Sequence, residues 1–441
     1  MATPITIVRP AFRHLAVLAW LLCLCTCSRA APPPPAPPAK PWQRPPIIDY
    51  HAHLSLDGLA RINQIMTENG IEAMVNLSGG SGRRGGLQWV EAKTLSDKLG
   101  GRIWNFMTPD FRDFGTPALP AGTAWAEREA DRLQEVVEKY GFRGLKIAKV
   151  LGLGLTDEHD QIVPPDDARL APLWRKCAML GVPVSIHVAD PRAFWQPLTP
   201  ANERWDELKA HPYWAYGWIP PEMQAQMQGQ RPPVAPWPVL LQQTERLYRT
   251  QPQTVFVAVH FGNAAEDLDY VDGLLNRNAN VWIDVAARLG EFGRHPPQKL
   301  KDFFIKWQDR IVFGTDIGIG SDSLMLGSNG EIEPQMPDVK PFYDAHWRFF
   351  ESSERQIAHP SPIQGNWKID AIGLPHQVLD KLYRGNALRI LDRKFLKEFA
   401  ATHVPGSASV PAVGDLPAPA PAPPLPKPPA PPATVTPSAQ P

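Results

Sequence analysis

The chain has 441 residues, with 45 Lys plus Arg against 45 Asp plus Glu. That balance gives no electrostatic footprint for a nucleic acid or an anionic surface as partner. The length allows two or three domains, yet α/β barrels use more than about 200 residues as one.

Taken in chain order, residues 1–30 read as a secretory signal peptide. Arg9 and Arg13 precede the apolar segment Leu15 to Cys27, and Ser28 and Ala30 occupy the minus-three and minus-one positions of a cleavage site. The expected destination is periplasmic or extracellular. The apolar stretch is short for a membrane span, so none is expected in the mature chain. An uncleaved anchor and a lipoprotein on Cys27 are the alternatives, although Leu24-Cys25-Thr26 is a poor lipidation context. Cys23, Cys25 and Cys27 fall in this signal, leaving Cys177 alone among the four cysteines. An internal disulfide framework is thereby excluded in an exported chain. Residues 31–46 and 404–441 are mostly proline and alanine. Such segments bury too little apolar surface to offset ordering entropy and are expected as a linker and a disordered tail.

Residues 47–395 form the candidate domain. Eight short runs rich in Val, Ile, Leu and Phe begin at Ile47, Ile71, Arg102, Phe142, Val182, Thr254, Val281 and Ile311. Amphipathic intervals such as Trp125 to Tyr140, Asp167 to Leu180 and Val239 to Thr250 predict helices between them. Eight alternating units predict an α/β fold, a single (β/α)8 TIM barrel. An open doubly wound sheet needs the same alternation, but no Gly-x-Gly-x-x-Gly follows the first strand to favour a dinucleotide version. Two connections are long, Pro191 to Pro238 and Ile317 to Pro341. Both leave from strand C-termini, the face where barrel active sites sit, and the first, rich in Trp and Tyr, is expected to wall a pocket.

The first strand turns polar as it ends. In Ile48-Asp49-Tyr50-His51-Ala52-His53 the alternation of side chains predicts Asp49, His51 and His53 on one face. Two imidazoles at that spacing can reach one metal ion, with Asp49 placed to accept a ring N–H. A His-x-His pair alone is a weak signal. The fifth, sixth and eighth runs, however, end in His187, His260 and Asp316. Four strands of one cylinder each ending in a ligand-type residue are hard to explain as packing.

With these residues in place, the chain resembles the amidohydrolase superfamily, and within it the amidohydrolase-2 group that contains relatives of aminocarboxymuconate-semialdehyde decarboxylase. The likeness runs from Asp49-Tyr50-His51-Ala52-His53 through Gly314-Thr315-Asp316 to Gly385-Asn386-Ala387. It implies that His51, His53, His187 and Asp316 bind a divalent metal, zinc by preference, and that His260 takes the catalytic place on strand six. Asp316 is then the general base toward water and His260 polarises or protonates the substrate oxygen. The implied activity is metal-dependent hydrolysis or decarboxylation of a small organic acid, aromatic in one version, or of its lactone, ester or amide. One ion is expected. The alternatives are a binuclear hydrolase bridged by carbamylated Lys146, and a non-catalytic metabolite-binding barrel. Lys146 or Lys149 as an ammonium, Arg192 and Arg288 are candidates to hold a substrate carboxylate, and Trp195 of the long connection to line the pocket.

Overall fold

The computed structural model describes residues 41–81, 86–116, 123–225, 227 and 234–404. The expected signal peptide, most of the linker and nearly all of the tail lie outside the described residues.

The sheet follows the eight expected runs. Its strands are β1 (Ile47–Leu54), β2 (Ile71–Asn76), β3 (Ile103–Met107), β4 (Gly144–Ile147), β5 (Val184–Ile186), β6 (Phe256–Ala258), β7 (Val281–Asp284) and β8 (Ile311–Val312), with β9 (Ile317–Ile319) and β10 (Leu324–Leu326) beyond them. The spatial order is β10-β9-β1-β2-β3-β4-β5-β6-β7-β8. Every pair is parallel except β9 with β10. Although β8 pairs with β7 and β9 with β1, they are two ends of one short stretch of chain. Between them Tyr50 N donates to Phe313 O and Asp316 N donates to His51 O, each at 2.8 Å. The eighth strand therefore closes the sheet on the first. This is the expected barrel.

The helices also fall where apolar spacing predicts them. Ala124–Lys139 buries Trp125, Ala126, Ala130, Leu133, Val136 and Val137 on one side. Ala171–Leu180 ends at Gly181, whose φ of 67° suits a residue without a side chain. A Cβ there would stand 2.6 Å from Arg393 O, so close packing requires glycine too. Inside the barrel, Ile48, Tyr50, Val75, Val257 and Val312 form one cluster, joined by Ala387, Ile390 and Leu396 of the C-terminal helices. Those helices meet the strands near their beginnings, leaving the opposite ends for the site.

The first long connection is folded on itself. Its turn Arg192–Trp195 and helix Trp205–Ala210 surround a cluster of Phe194, Leu198, Leu208, Ala215 and Ile219. The second is not the expected plain loop. It begins with the β9–β10 hairpin, because β9 finds open backbone groups on β1, and ends in the helix Met336–Glu351. Gln335 and Asp338 cap that helix reciprocally.

Candidate metal centre

The pairing of β1 with β2 slips between Asp49 and Ala52, so strict alternation fails there. Tyr50 reaches across the barrel to Ser185 Oγ at 3.5 Å, and the next residue, His51, also faces inward, to Asp284. Asp49 is left on the other side. Its Oδ1 accepts from Thr315 N at 3.0 Å and from His51 N at 3.2 Å. Its Oδ2 accepts from Thr315 Oγ1 at 2.6 Å and from the Tyr343 hydroxyl at 2.9 Å. Asp49 thus accepts no imidazole proton, contrary to expectation. It ties β1 to the backbone that leads into Asp316.

The carboxylate that does this work is Asp284, at the end of β7. Its Oδ2 accepts from His51 Nδ1 at 2.8 Å, and its Oδ1 accepts from His260 N at 2.7 Å and Ala286 N at 3.2 Å. A proton fixed on Nδ1 leaves the His51 Nε2 lone pair facing the barrel mouth. His260 is held likewise, its Nδ1 donating to Ala286 O at 3.0 Å. His53 Nδ1 meets Ser78 Oγ at 2.6 Å.

These imidazoles turn toward Asp316. Its Oδ1 lies 3.3 Å from His51 Nε2 and 3.2 Å from His53 Nε2. One ligand atom each from His51, His260 and Asp316 fall within 4.8 Å of one another. The His187 ring stands 4.3 Å from that of His260, and its Nε2 is 3.5 Å from Asp190 Oδ1. All five residues expected at the strand ends therefore converge, with His260 in the tightest group, where the resemblance puts His187. Asp316 and His260 have φ of 63° and 57°, a left-handed conformation that non-glycine residues adopt when the surrounding structure holds them.

The donor set fits a divalent cation. His51 Nε2 and His187 Nε2 are buried without a hydrogen-bond partner among the described residues, a costly state that a metal would relieve. Burial pushes the His51 and His260 imidazoles well below their ordinary value and His187 down to about 4. Burial alone would raise Asp316, but His51 and His53 more than reverse this and hold its carboxyl below the usual range. Neutral imidazoles and an ionised carboxylate are the states that ligation requires. Burial pushes Asp284 up to about 7. Lys146, on β4 within the barrel, is buried with no hydrogen-bond partner for Nζ among the described residues, and burial brings its ammonium down to about 8 against the pull of Asp316 and Asp284.

Beside the histidines lies a cavity of about 120 Å³, lined in part by Lys149, His187, Asp190, Trp214, His260 and Arg288. Asp190 Oδ2 receives Lys149 Nζ at 2.7 Å and the Tyr216 hydroxyl at 3.2 Å, while Arg288 comes within 3.6 Å of Oδ1. Two cations share one carboxylate there. Arg192 and Trp195 are not among the residues lining this cavity. The Arg192 guanidinium lies over the Trp237 ring at 4.6 Å, toward Asp267, because its own backbone is anchored to Glu266. Trp195 gives its N–H to Ala235 O at 3.1 Å and packs on Tyr216. Phe194 and Trp214 are the aromatic rings that reach the cavity.

Residues 48–393 match the sequence profile of the Amidohydrolase family. The chain belongs to that family. It is an enzyme of the amidohydrolase superfamily, in its amidohydrolase-2 branch. Among solved structures, a 2,6-dihydroxybenzoate decarboxylase from Rhizobium is 15% identical, with 79% of this chain and 99% of that one covered at a TM-score of 0.42. A 5-carboxyvanillate decarboxylase from Sphingomonas paucimobilis is 13% identical, covering 78% and 98% at 0.41. A 4-oxalomesaconate hydratase from Rhodopseudomonas palustris is 16% identical, covering 81% and 98% at 0.44. No curated protein sequence matches. Within this amidohydrolase, sequence reasoning named Lys149 as a candidate but passed over Asp284 and Asp190 as site residues. Asp284 gave the same signal as its neighbours, an apolar run ending in a polar residue, whereas Asp190 stands among loop residues of every polarity.

Proposed function

We propose that this amidohydrolase is an exported, metal-dependent hydrolase or carboxy-lyase acting on a small organic acid. The observation that carries the reading is the convergence of His51, His53, His187, His260 and Asp316 beside a cavity that also holds Lys149 and Arg288. Arg288, only loosely paired with Asp190 at 3.6 Å, offers a substrate carboxylate a planar, bidentate partner.

A divalent ion bound by His51, His53, His187 and Asp316, zinc by preference and one per chain, supplies a Lewis acid and lowers the pKa of water to about 7. Asp316 accepts the proton of the attacking water. With its Nδ1 proton committed to Ala286 O, His260 presents Nε2 to the substrate oxygen. Hydrolysis ends when the leaving group takes a proton. In decarboxylation the carbon–carbon bond breaks, the electron pair stays on the substrate carbon, and a proton replaces the carbon dioxide that departs. Trp214 and Phe194, both at the cavity, keep bulk water out.

A panel of aromatic and aliphatic carboxylates, lactones and amides, run in ¹⁸O-labelled water on metal-loaded protein, separates the two reactions. Carbon dioxide release without label in the organic product is expected for the lyase, and label in the product for the hydrolase. Neither product with any compound, at full metal loading, would count against the reading. Export is tested by N-terminal sequencing of the secreted protein, expected to start at Ala31.

The buried, unpartnered Lys146 favours a second reading. A neutral amine there can add carbon dioxide, releasing a proton, to give a carbamate that bridges two ions. Elemental analysis near two ions per chain, falling in Lys146→Met, would select it.

A further inference from the structure

The cationic cavity has a neighbour. A second cavity, of about 570 Å³, opens beside His53, and Met325 lines both. Asp316 lines the small cavity and His53 the large one, and these two side chains lie 3.2 Å apart, so a ligand with one arm in each would meet the metal ligands. Their walls differ in chemistry. The larger cavity has no lysine or arginine among its described lining residues. Its polar groups include Ser323, Asn329 and His211, and its one carboxylate, Glu333, already accepts from Leu324 N at 2.7 Å.

His211 comes from the first long connection, the lid hereafter, just after the helix Trp205–Ala210. Its ring packs on Trp214 with centroids 4.1 Å apart and planes tilted by 30°. Trp214 lines the small cavity and His211 the large one, so the packed pair presents one ring to each. The Nε2 of His211 is buried and has no hydrogen-bond partner among the described residues. Leaving such a nitrogen unmatched is costly, and a ligand hydroxyl or amide would satisfy it. A second anionic group would find no countercharge here and would face Glu333.

We propose that the cavity beside His53 is a subsite for an uncharged, hydrogen-bonding arm of the substrate, hydroxylated or amide-bearing, read by His211 Nε2 with Ser323. This rests on the reading of the adjoining centre as the catalytic site. It makes the substrate bipartite, with a carboxylate toward Arg288 and a neutral polar arm toward His211.

Calorimetry on the metal-loaded full chain tests this with three six-carbon probes: gluconate, which carries both features, hexanoate, which lacks the hydroxyls, and sorbitol, which lacks the carboxylate. Gluconate is expected to bind at least tenfold more tightly than hexanoate. His211→Leu and Ser323→Ala are each expected to narrow that gap several-fold, with hexanoate affinity and metal content unchanged. Sorbitol binding that His211→Leu removes also supports the subsite, and does so even if gluconate gains nothing from its carboxylate, an outcome that would defeat the acid-binding reading alone. Equal binding of hexanoate and gluconate, a gap that survives both substitutions, or no binding of either hydroxylated probe would overturn the proposal.

Discussion

Asp284 and His51 stand on different strands of the barrel and meet at 2.8 Å, the carboxylate accepting the ring Nδ1 proton. The same carboxylate takes the backbone N–H of His260. One buried side chain therefore sets the tautomer of one candidate ligand and the strained backbone of another. Loss of such a supporting acceptor typically lowers metal affinity ~10–100-fold. Asp284→Asn is expected to behave so, since the amide keeps the shape and can turn only one acceptor to the two sides. Competition against a graded chelator reads the affinity, and an unchanged value would remove Asp284 from the centre.

His260 has two possible parts. Its donor atom groups with those of His51 and Asp316, yet its likeness to the family places it as the catalytic histidine. His260→Asn suits the left-handed backbone, φ 57°, better than most residues would. As an acid–base group, its loss should lower kcat by about 10²–10⁴ while the bound metal stays. His53→Ala, run beside it, should release metal. A His260→Asn protein that loses metal as readily as the His53 variant would make His260 a ligand.

Much of this was legible in the residues. Strand runs bounded by glycine gave the barrel, and a ligand-type residue at the end of four of them gave the centre, because buried strands admit few polar side chains without a purpose. What was not legible depended on register. The slip in β1 that sends Asp49 toward Tyr343 leaves no mark in an alternating sequence. The β9–β10 hairpin is built from Ile-Gly-Ile and Leu-Met-Leu, runs too short to announce strands, and exists because β1 offers it a free edge. Arg192 and Arg288 looked alike as loop arginines. Only tertiary contacts, Trp237 for one and Asp190 for the other, separate them.

Away from the centre, His346 is buried on the helix Met336–Glu351 among Phe313, Phe342 and Tyr343. Burial lowers its pKa to about 4 although its Nδ1 donates to Phe342 O. An unfolded histidine titrates near 6.5, so between these values the unfolded chain binds the extra proton. The contribution is complete above pH 6.5 and disappears as pH falls toward 4, the loss reaching roughly 2 kcal/mol by pH 5. His346→Phe should remove it. Thermal unfolding from pH 7.5 to 4.5 should then show the variant gaining on the parent as pH drops, and parallel curves would refute the assignment.

The lid is joined to the barrel through Arg204, whose side chain is fully buried. Its guanidinium donates to Glu207 Oε2 at 2.6 Å and pairs with Glu291, which follows Arg288 by three residues. The other oxygen of Glu207 receives Ser328 Oγ from the segment after β10. Glu207 and Ser328 both line the cationic cavity, so this buried cluster binds the lid to two further walls of the site. Arg204→Met leaves two carboxylates without a partner and should cost about 3–5 kcal/mol, the usual penalty for breaking a buried pair from one side. Replacing all three residues, with Glu207→Gln and Glu291→Gln added, removes the stranded charges and should recover most of that loss in urea unfolding. Hydrogen exchange locates the effect. In Arg204→Met, residues 192–218 should exchange faster while the strands do not, because the cluster holds the lid and the barrel is closed without it. Uniform acceleration across the domain would mean instead that Arg204 supports the whole fold.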